Sequence, residues 1–205
     1  MKKITVLLVL LASVFVFNSC KKIAGCTDQA AQNYNADANE DDGSCTYLAI
    51  GDSYQGGKIA YILQPGETGY DAKVQHGLIA APTDQDTAAG WGCVGTLISG
   101  ADGTAVGTGN QNTIDIVAGC SAAGTAARIC SDLGLGGYTD WYLPSKDELQ
   151  KLYLNRAQIG GFATSFYWSS SEATANEAWW YSFFDGGAYA YSKSTPIRVR
   201  AVRSF

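Results

Sequence analysis

Apolar and polar positions change their pattern several times along this chain, and each change marks a boundary. Lys2 and Lys3 precede an apolar run over residues 4–17 broken only by Thr5 and Ser13, and Asn18 and Ser19 then lead to Cys20. A positive start followed by a short apolar run is an export signal, too short to cross a hydrocarbon core roughly 30 Å thick comfortably. Residues 26–45, CTDQAAQNYNADANEDDGSC, carry Asp28, Asp37, Glu40, Asp41 and Asp42 with no cation, and Tyr34 is their one large apolar side chain. Such a stretch cannot build a core of its own.

Gly, Thr and Asn dominate residues 90–112, the texture of long irregular loops around short strands. Helical periodicity begins after them. Ala126, Ile129, Cys130 and Leu133 form one stripe over residues 122–133, with Gly134 as a stop. A second helix starts after Pro144, where Ser145 and Glu148 have capping-box spacing and Leu149, Leu152 and Tyr153 supply a buried face. Beyond Gly160-Gly161 the pattern becomes that of strands, over residues 166–168, 178–184 and 197–202, with Asp185-Gly186-Gly187 as a turn. Two helices followed by antiparallel strands predict an α+β body. Within residues 178–184, Trp179, Tyr181 and Phe183 alternate with Trp180, Ser182 and Phe184 on opposite faces.

Composition narrows the function. Charged residues make up 16% of the 205, against roughly 25% in ordinary soluble domains, and 14 Lys plus Arg face 19 Asp plus Glu. A nucleic-acid partner needs clustered cations for its phosphates, which excludes that class. A single His, His76, excludes His-cluster metal sites, and no cofactor is called for. Ser169, Ser170 and Ser171 are candidate nucleophiles, but His76 sits in strand-like sequence and Asp147 and Glu148 are explained as partners of a helix N-terminus. A non-catalytic protein is expected.

Export places the cysteines in an oxidising space. Cys26 and Cys45 flank the acidic loop and are expected to close it; Cys93 and Cys120, both in loop-like sequence, form the second expected pair. Cys130 lies on the helix stripe as a free, packed thiol. Asp37, Asn39 and Asp41 have the spacing of calcium-loop oxygens, yet Gly43 falls one place late and Leu48 stands where the closing Glu belongs. A stapled spacer is the preferred reading and a calcium loop the other.

Several strings resemble known families. Phe17-Asn18-Ser19-Cys20 resembles the lipobox of bacterial lipoproteins, which implies lipid on Cys20 and anchoring without a span. Lys21 lacks the acidic retention signal, which implies the outer membrane. Residues 26–45 resemble a short repeat of secreted and surface bacterial proteins. GGYTDWYLPSKDEL at 136–149, FYWSSSE at 166–172, Ala178-Trp179 and RVRAVRSF at 198–205 resemble the C-terminal (Lcl-C) domain of collagen-like bacterial adhesins. That domain is similar to C-type-lectin-like folds and to formylglycine-generating enzymes, and the likeness covers most of residues 54–205. It implies a C-type-lectin-like α+β body of two helices and a twisted antiparallel sheet, preceded by the small disulfide-stapled acidic repeat. No Cys follows Cys130 for formylglycine-type chemistry, and the Glu-Pro-Asn and Trp-Asn-Asp strings of calcium-dependent lectins do not occur. The expected organisation is a signal peptide at 1–19, a lipidated tether at 20–25, the repeat at 26–47 and the body at 48–205.

Residues 173–197, between WSSSE and RVRAVR, are rich in Ala, Ser, Thr, Tyr, Gly and Asp, the composition of an antibody paratope. They resemble the varied segment of targets of diversity-generating retroelements, in which mutation of adenines in Asn codons reaches most of these residue types, Glu177 and Trp180 excepted. The resemblance implies a ligand-binding face of Ala173, Thr174, Asn176, Trp180, Tyr181, Ser182, Phe184, Asp185, Tyr189, Tyr191, Ser192 and Ser194. Trp179 and Phe183, as framework positions, are assigned to the core with Trp168, leaving Trp180, Phe184, Tyr189 and Tyr191 as an exposed aromatic patch. Arg198, Arg200 and Arg203 are expected to pair with carboxylates such as Glu172. The chain is thus expected to be a lipid-anchored binding module of the outer membrane with a protein or glycan ligand at a cell surface. An undiversified adhesin or structural domain that binds a polymer such as a glycan is the alternative.

Overall fold

The computed structural model describes residues 21–205. The expected signal peptide at 1–19 and the expected lipidation site at Cys20 lie outside the described residues. At the start, Ala24–Gly25 (β1) pairs in parallel with Glu40–Asp41 (β2), and the Cys26–Cys45 disulfide closes the acidic loop. Its polar side chains build the turns that a core would otherwise hold: Asp28, Asn35, Asp41 and Asp42 each accept from the backbone N–H two residues on.

The body runs through Ser53–Tyr54 (β3), Gly57–Ile62 (β4), Gly77–Ala80 (β5), Asp86–Ala89 (β6), Gly109–Gly119 (α1), Ala126–Ser131 (α2), Lys146–Leu154 (α3) and Arg156–Ile159 (α4). It ends in Phe166–Glu172 (β7), Glu177–Ser182 (β8), Ala188–Ser192 (β9), Ile197–Val199 (β10) and Val202–Ser204 (β11). Two sheets result, one ordered β6-β10-β7-β8-β9 and the other β11-β5-β4-β3. The architecture is mixed α+β, as expected, and antiparallel in the body except where β10 lies parallel to β7.

The expected pair of helices becomes four. α1 escapes an apolar-stripe reading because its buried face is Gly109, Asn112, Thr113 and Ile116. Polar groups fill that face: Asn112 donates to Gly103 O and to Ser170 Oγ, while Thr113 Oγ1 donates to Gly109 O and accepts from Leu143 N. The helix expected over 122–133 contracts to α2 because Thr125 is extended, with ψ 154°. α3 starts as its capping box requires. Ser145 Oγ accepts from Glu148 N, and Glu148 Oε2 accepts from Ser145 N at 2.7 Å while Oε1 takes Gly107 N at 2.8 Å. Glu148 is fully buried, and burial pushes its carboxyl up to about 7 despite those bonds.

The strand expected over 197–202 divides between the sheets. β10 joins one and β11 the other, and the chain crosses at Arg200 and Ala201. The Arg200 guanidinium is buried there, bonded to Asp84 and to the carbonyls of Ala81 and Gly161. Successive side chains of β4, β5 and β7 enter opposite cores: Ile59, Ile79 and Trp168 on one side with α1 and α2, Ala60, Leu78 and Tyr167 on the other with α3. Both faces of the central strands are therefore dry, and the open surface lies toward β9.

Candidate binding surface

Directly opposed residues of a sheet share a face. Trp168, Trp180 and Tyr189 stand opposite one another across β7, β8 and β9, and by alternation Phe166 and Tyr191 lie on that same face. The row begins in the core and ends at the surface. Trp168 is sealed, with Nε1 donating to Ala89 O, whereas Phe166, Tyr189 and Tyr191 are 43%, 46% and 55% exposed. Trp180 joins them: its ring centroid is 4.1 Å from Phe166, 5.3 Å from Tyr189 and 6.4 Å from Tyr191. These are the edge and tilted geometries that aromatic quadrupoles favour. The result is a shelf of rings supported from one side only. Trp180 Nε1 is buried without a hydrogen-bond partner among the described residues.

The β8–β9 turn extends one end of the shelf. Phe184 is 76% exposed, Phe184 N and Asp185 N donate to Ser182 Oγ, and Asp185 accepts from Gly187 N and from Tyr189 OH. Ser182 foremost, and then Gly187 N–H, hold the Asp185 carboxyl below its usual range; the same carboxylate pushes the Tyr189 phenol up. Gly186 has φ +79°, and a Cβ there would lie 2.6 Å from Tyr153 Cε1, so this turn position takes only glycine.

The opposite end gathers the β7–β8 turn and the end of β9. Ala173 N and Thr174 N both donate to Glu177 O, and Ser192 Oγ and Ser194 Oγ lie 2.9 Å apart. Thr174, Asn176 and Ser194 are exposed, Ala173 and Ser192 half-buried. Beneath them sits a buried ion pair: Lys193 Nζ on Glu172 Oε1, with Lys193 also donating to Thr96 O and lying 4.6 Å from the Trp91 ring centroid. The expected face thus divides into two polar ends about 17 Å apart along β8, at roughly 3.3 Å per residue, joined by the shelf.

Some assignments change. Tyr181 and Ser182 are buried and cannot meet a ligand: Tyr181 packs on Tyr153 and Phe183, and Ser182 is the hinge of the turn just described. Trp179, expected in the core, is half-buried with Lys146 Nζ 5.2 Å from its ring. Phe183 and Trp168 are core, as expected. Phe166 was not among the expected face residues; it shares the parity of Trp168, and its place at the start of β7 carries it past the core. The arginines do not meet Glu172: Arg198 and Arg200 pair with Asp84, and Arg203 with Asp140.

The candidate enzyme groups have structural partners. Ser169 Oγ donates to Trp179 O, Ser171 Oγ donates to Gly103 O, Ser170 accepts from Asn112, and all three serines are buried. His76 Nδ1 lies 3.1 Å from Phe205 O. Asn39 accepts from Ile23 N and donates to Lys21 O, which turns its amide to the backbone. Among the described residues no cluster of three or more His, Cys, Asp or Glu could hold a metal ion. The Cys93–Cys120 disulfide is present and Cys130 is free and buried.

The sequence profile of the Lcl C-terminal domain matches residues 82–203, which span β6 to β11 and the whole shelf. The chain belongs to this family. In this Lcl C-terminal domain protein the sheet partners β3, β4 and β5 of strand β11 precede the matched segment. A crystal structure of a fimbrial protein from Bacteroides ovatus ATCC 8483 is similar in fold, with TM-score 0.52 and 14% identity over 83% of this chain. The chain spans 50% of that fimbrial protein's length. No functionally curated protein matches this chain in sequence.

Proposed function

We propose that this is an exported, lipid-anchored, adhesin-like protein of the bacterial outer membrane that binds a protein or glycan ligand through the aromatic shelf and does no catalysis. The observation that carries this reading is the shelf: four rings, of which Phe166, Tyr189 and Tyr191 are substantially exposed, beside a 76% exposed Phe184. Exposed aromatic patches of this kind mark partner surfaces, and Tyr and Trp dominate binding hot spots. Membership of the Lcl C-terminal domain family and a fold shared with a fimbrial protein are consistent with display at a surface. The non-catalytic reading is supported by serines whose hydroxyls are committed to carbonyls inside the protein. Lipidation of Cys20 rests on the lipobox-like string that precedes it.

On this reading the body is a C-type-lectin-like scaffold and residues 173–197 a diversified face. Exposed Thr174, Asn176, Phe184, Asp185, Tyr189, Tyr191 and Ser194 carry the variation, while buried Ala178, Tyr181, Ser182, Phe183 and Lys193 hold the frame. An undiversified adhesin that binds a polymer such as a glycan is the second reading, favoured by the ring-on-ring packing of Phe166 and Trp180. Arrays of surface proteins and glycans, probed with the exported chain and with Tyr189→Ala/Tyr191→Ala, test the proposal. A ligand retained by the parent and lost by the double variant supports it; ligands bound equally by both would falsify it.

A further inference from the structure

The five-stranded sheet ends at β6 on one side and at β9 on the other, and the two edges are finished differently. In β6 the Asp86 carboxylate covers Ala88 N–H at 2.7 Å, and the pairing with β10 is irregular. Such features blunt an edge against further pairing. β9 has neither. Its register with β8 runs unbroken from Glu177↔Ser192 to Tyr181↔Ala188, and its sequence, AYAYS, contains no Pro and no charge.

The hydrogen-bond parity of β9 follows from two contacts. Ser182 N donates to Gly187 O at 2.8 Å and Lys193 N to Asn176 O at 2.9 Å, and bonded pairs recur at every second residue of an antiparallel ladder. Tyr189 and Tyr191 therefore spend their N–H and C=O groups on β8. Those of Ala188 and Ala190 point away from it, and among the described residues no group outside the ladder meets them.

We propose that β9 is a docking edge for an extended segment of a partner protein, which adds as a further strand on Ala188 and Ala190 and lays alternate side chains beside Tyr189 and Tyr191. The proposal rests on the shelf being a binding surface and names its ligand as polypeptide. Main-chain pairing supplies affinity in this mode and alternate side chains supply selectivity. On the shelf face an added strand meets two tyrosines, which suit apolar or β-branched neighbours. On the other face it meets the methyl groups of Ala188 and Ala190, which leave room for bulk. The exposed charges bordering β9 are Glu177 and Asp185, while Lys193 is buried against Glu172. A strand carrying Lys or Arg complements that border. A second copy of this chain, with the same acids and a net charge of −5, does not.

The test is selection of phage-displayed random peptides, each roughly ten residues long, against the exported chain, with the enriched peptides then synthesised. Enriched sequences are expected to alternate apolar and polar residues and to carry Lys or Arg, and their binding to protect the Ala188 and Ala190 amides from hydrogen exchange. N-methylation of alternate peptide amides keeps the side chains and removes the donors, and should weaken binding at least about tenfold. Ala190→Pro should do the same, because the N–H it removes is not used by β8. If that variant melts early, Ala188→Lys/Ala190→Lys replaces it, opposing a basic strand by charge. Equal binding by the N-methylated peptides or by the edge variants overturns the proposal, as does self-association through β9 without peptide binding. Glycan binding that is lost in Tyr189→Ala, with no peptide enriched, overturns the strand docking and leaves the shelf as a binding surface. Failure of peptides and glycans alike overturns both.

Discussion

Removing the Lys193 ammonium is the sharpest perturbation of the frame that carries the shelf. Its partner Glu172 is 5% exposed and the Lys193 side chain is fully buried. With Lys193→Met, the Glu172 carboxylate keeps Ile98 N, at 3.0 Å from each oxygen, and loses the one cation paired with it among the described residues. Breaking a buried pair from one side in this way costs roughly 3–5 kcal/mol. For a domain of this size that is a fall of roughly 6–20 °C in melting temperature. Glu172→Gln should cost less, because the ammonium left behind retains Thr96 O and the Trp91 ring. The double variant Glu172→Gln/Lys193→Met should cost less than the sum of the two single variants, since no uncompensated charge remains. Urea unfolding of the set measures this. A loss below about 1 kcal/mol for Lys193→Met, or strict additivity, would show that the pair is not the buried clamp described here.

Other expectations follow from single groups. Burial raises the Glu148 carboxyl to about 7, above its unfolded value near 4.3, so the folded state binds more protons in that window and stability should fall as pH rises through it, by roughly 4 kcal/mol at most. Glu148→Gln should flatten that limb of the pH–stability curve, and a parent protein that gains stability there would contradict the assignment. Burial also pushes the Cys130 thiol far up, so an alkylating agent should label it only on unfolding, while unreduced peptide maps join Cys26 to Cys45 and Cys93 to Cys120. Cys20→Ala should move the protein out of the detergent phase in partitioning; its retention there would refute the lipid anchor.

Much of the frame was legible because it is written in local rules. The Ser145–Glu148 capping box, the turn at Asp185-Gly186-Gly187 and the alternation about Phe183 depend on neighbours in sequence, and the structure bears them out. What was not legible depends on distant partners. α1 hides its amphipathicity in Asn112 and Thr113, whose burial is tolerable only because Gly103, Ser170 and Leu143 come to meet them. Lys193 looks like a solvated lysine until the segment after β6 brings Trp91 and Thr96 around it. Tyr181 and Tyr189 have the same chemistry and both lie in aromatic-bearing strands. They differ because α3 covers one face of β8 and nothing among the described residues covers the other face near β9.

The central claim is that the shelf aromatics are dispensable for folding and reserved for binding. Thermal unfolding of Tyr189→Ala, Tyr191→Ala and Trp168→Ala tests it without knowledge of the ligand. Tyr189 and Tyr191 are 46% and 55% exposed and each contacts the shelf from one side, so each truncation should cost less than about 1 kcal/mol, or under about 4 °C. Trp168 is fully buried and hydrogen-bonded to Ala89 O, and its truncation should cost roughly 3–5 kcal/mol, a drop of roughly 6–20 °C. Tyrosine variants that melt as early as Trp168→Ala would make the shelf part of the core and contradict its role as a binding surface.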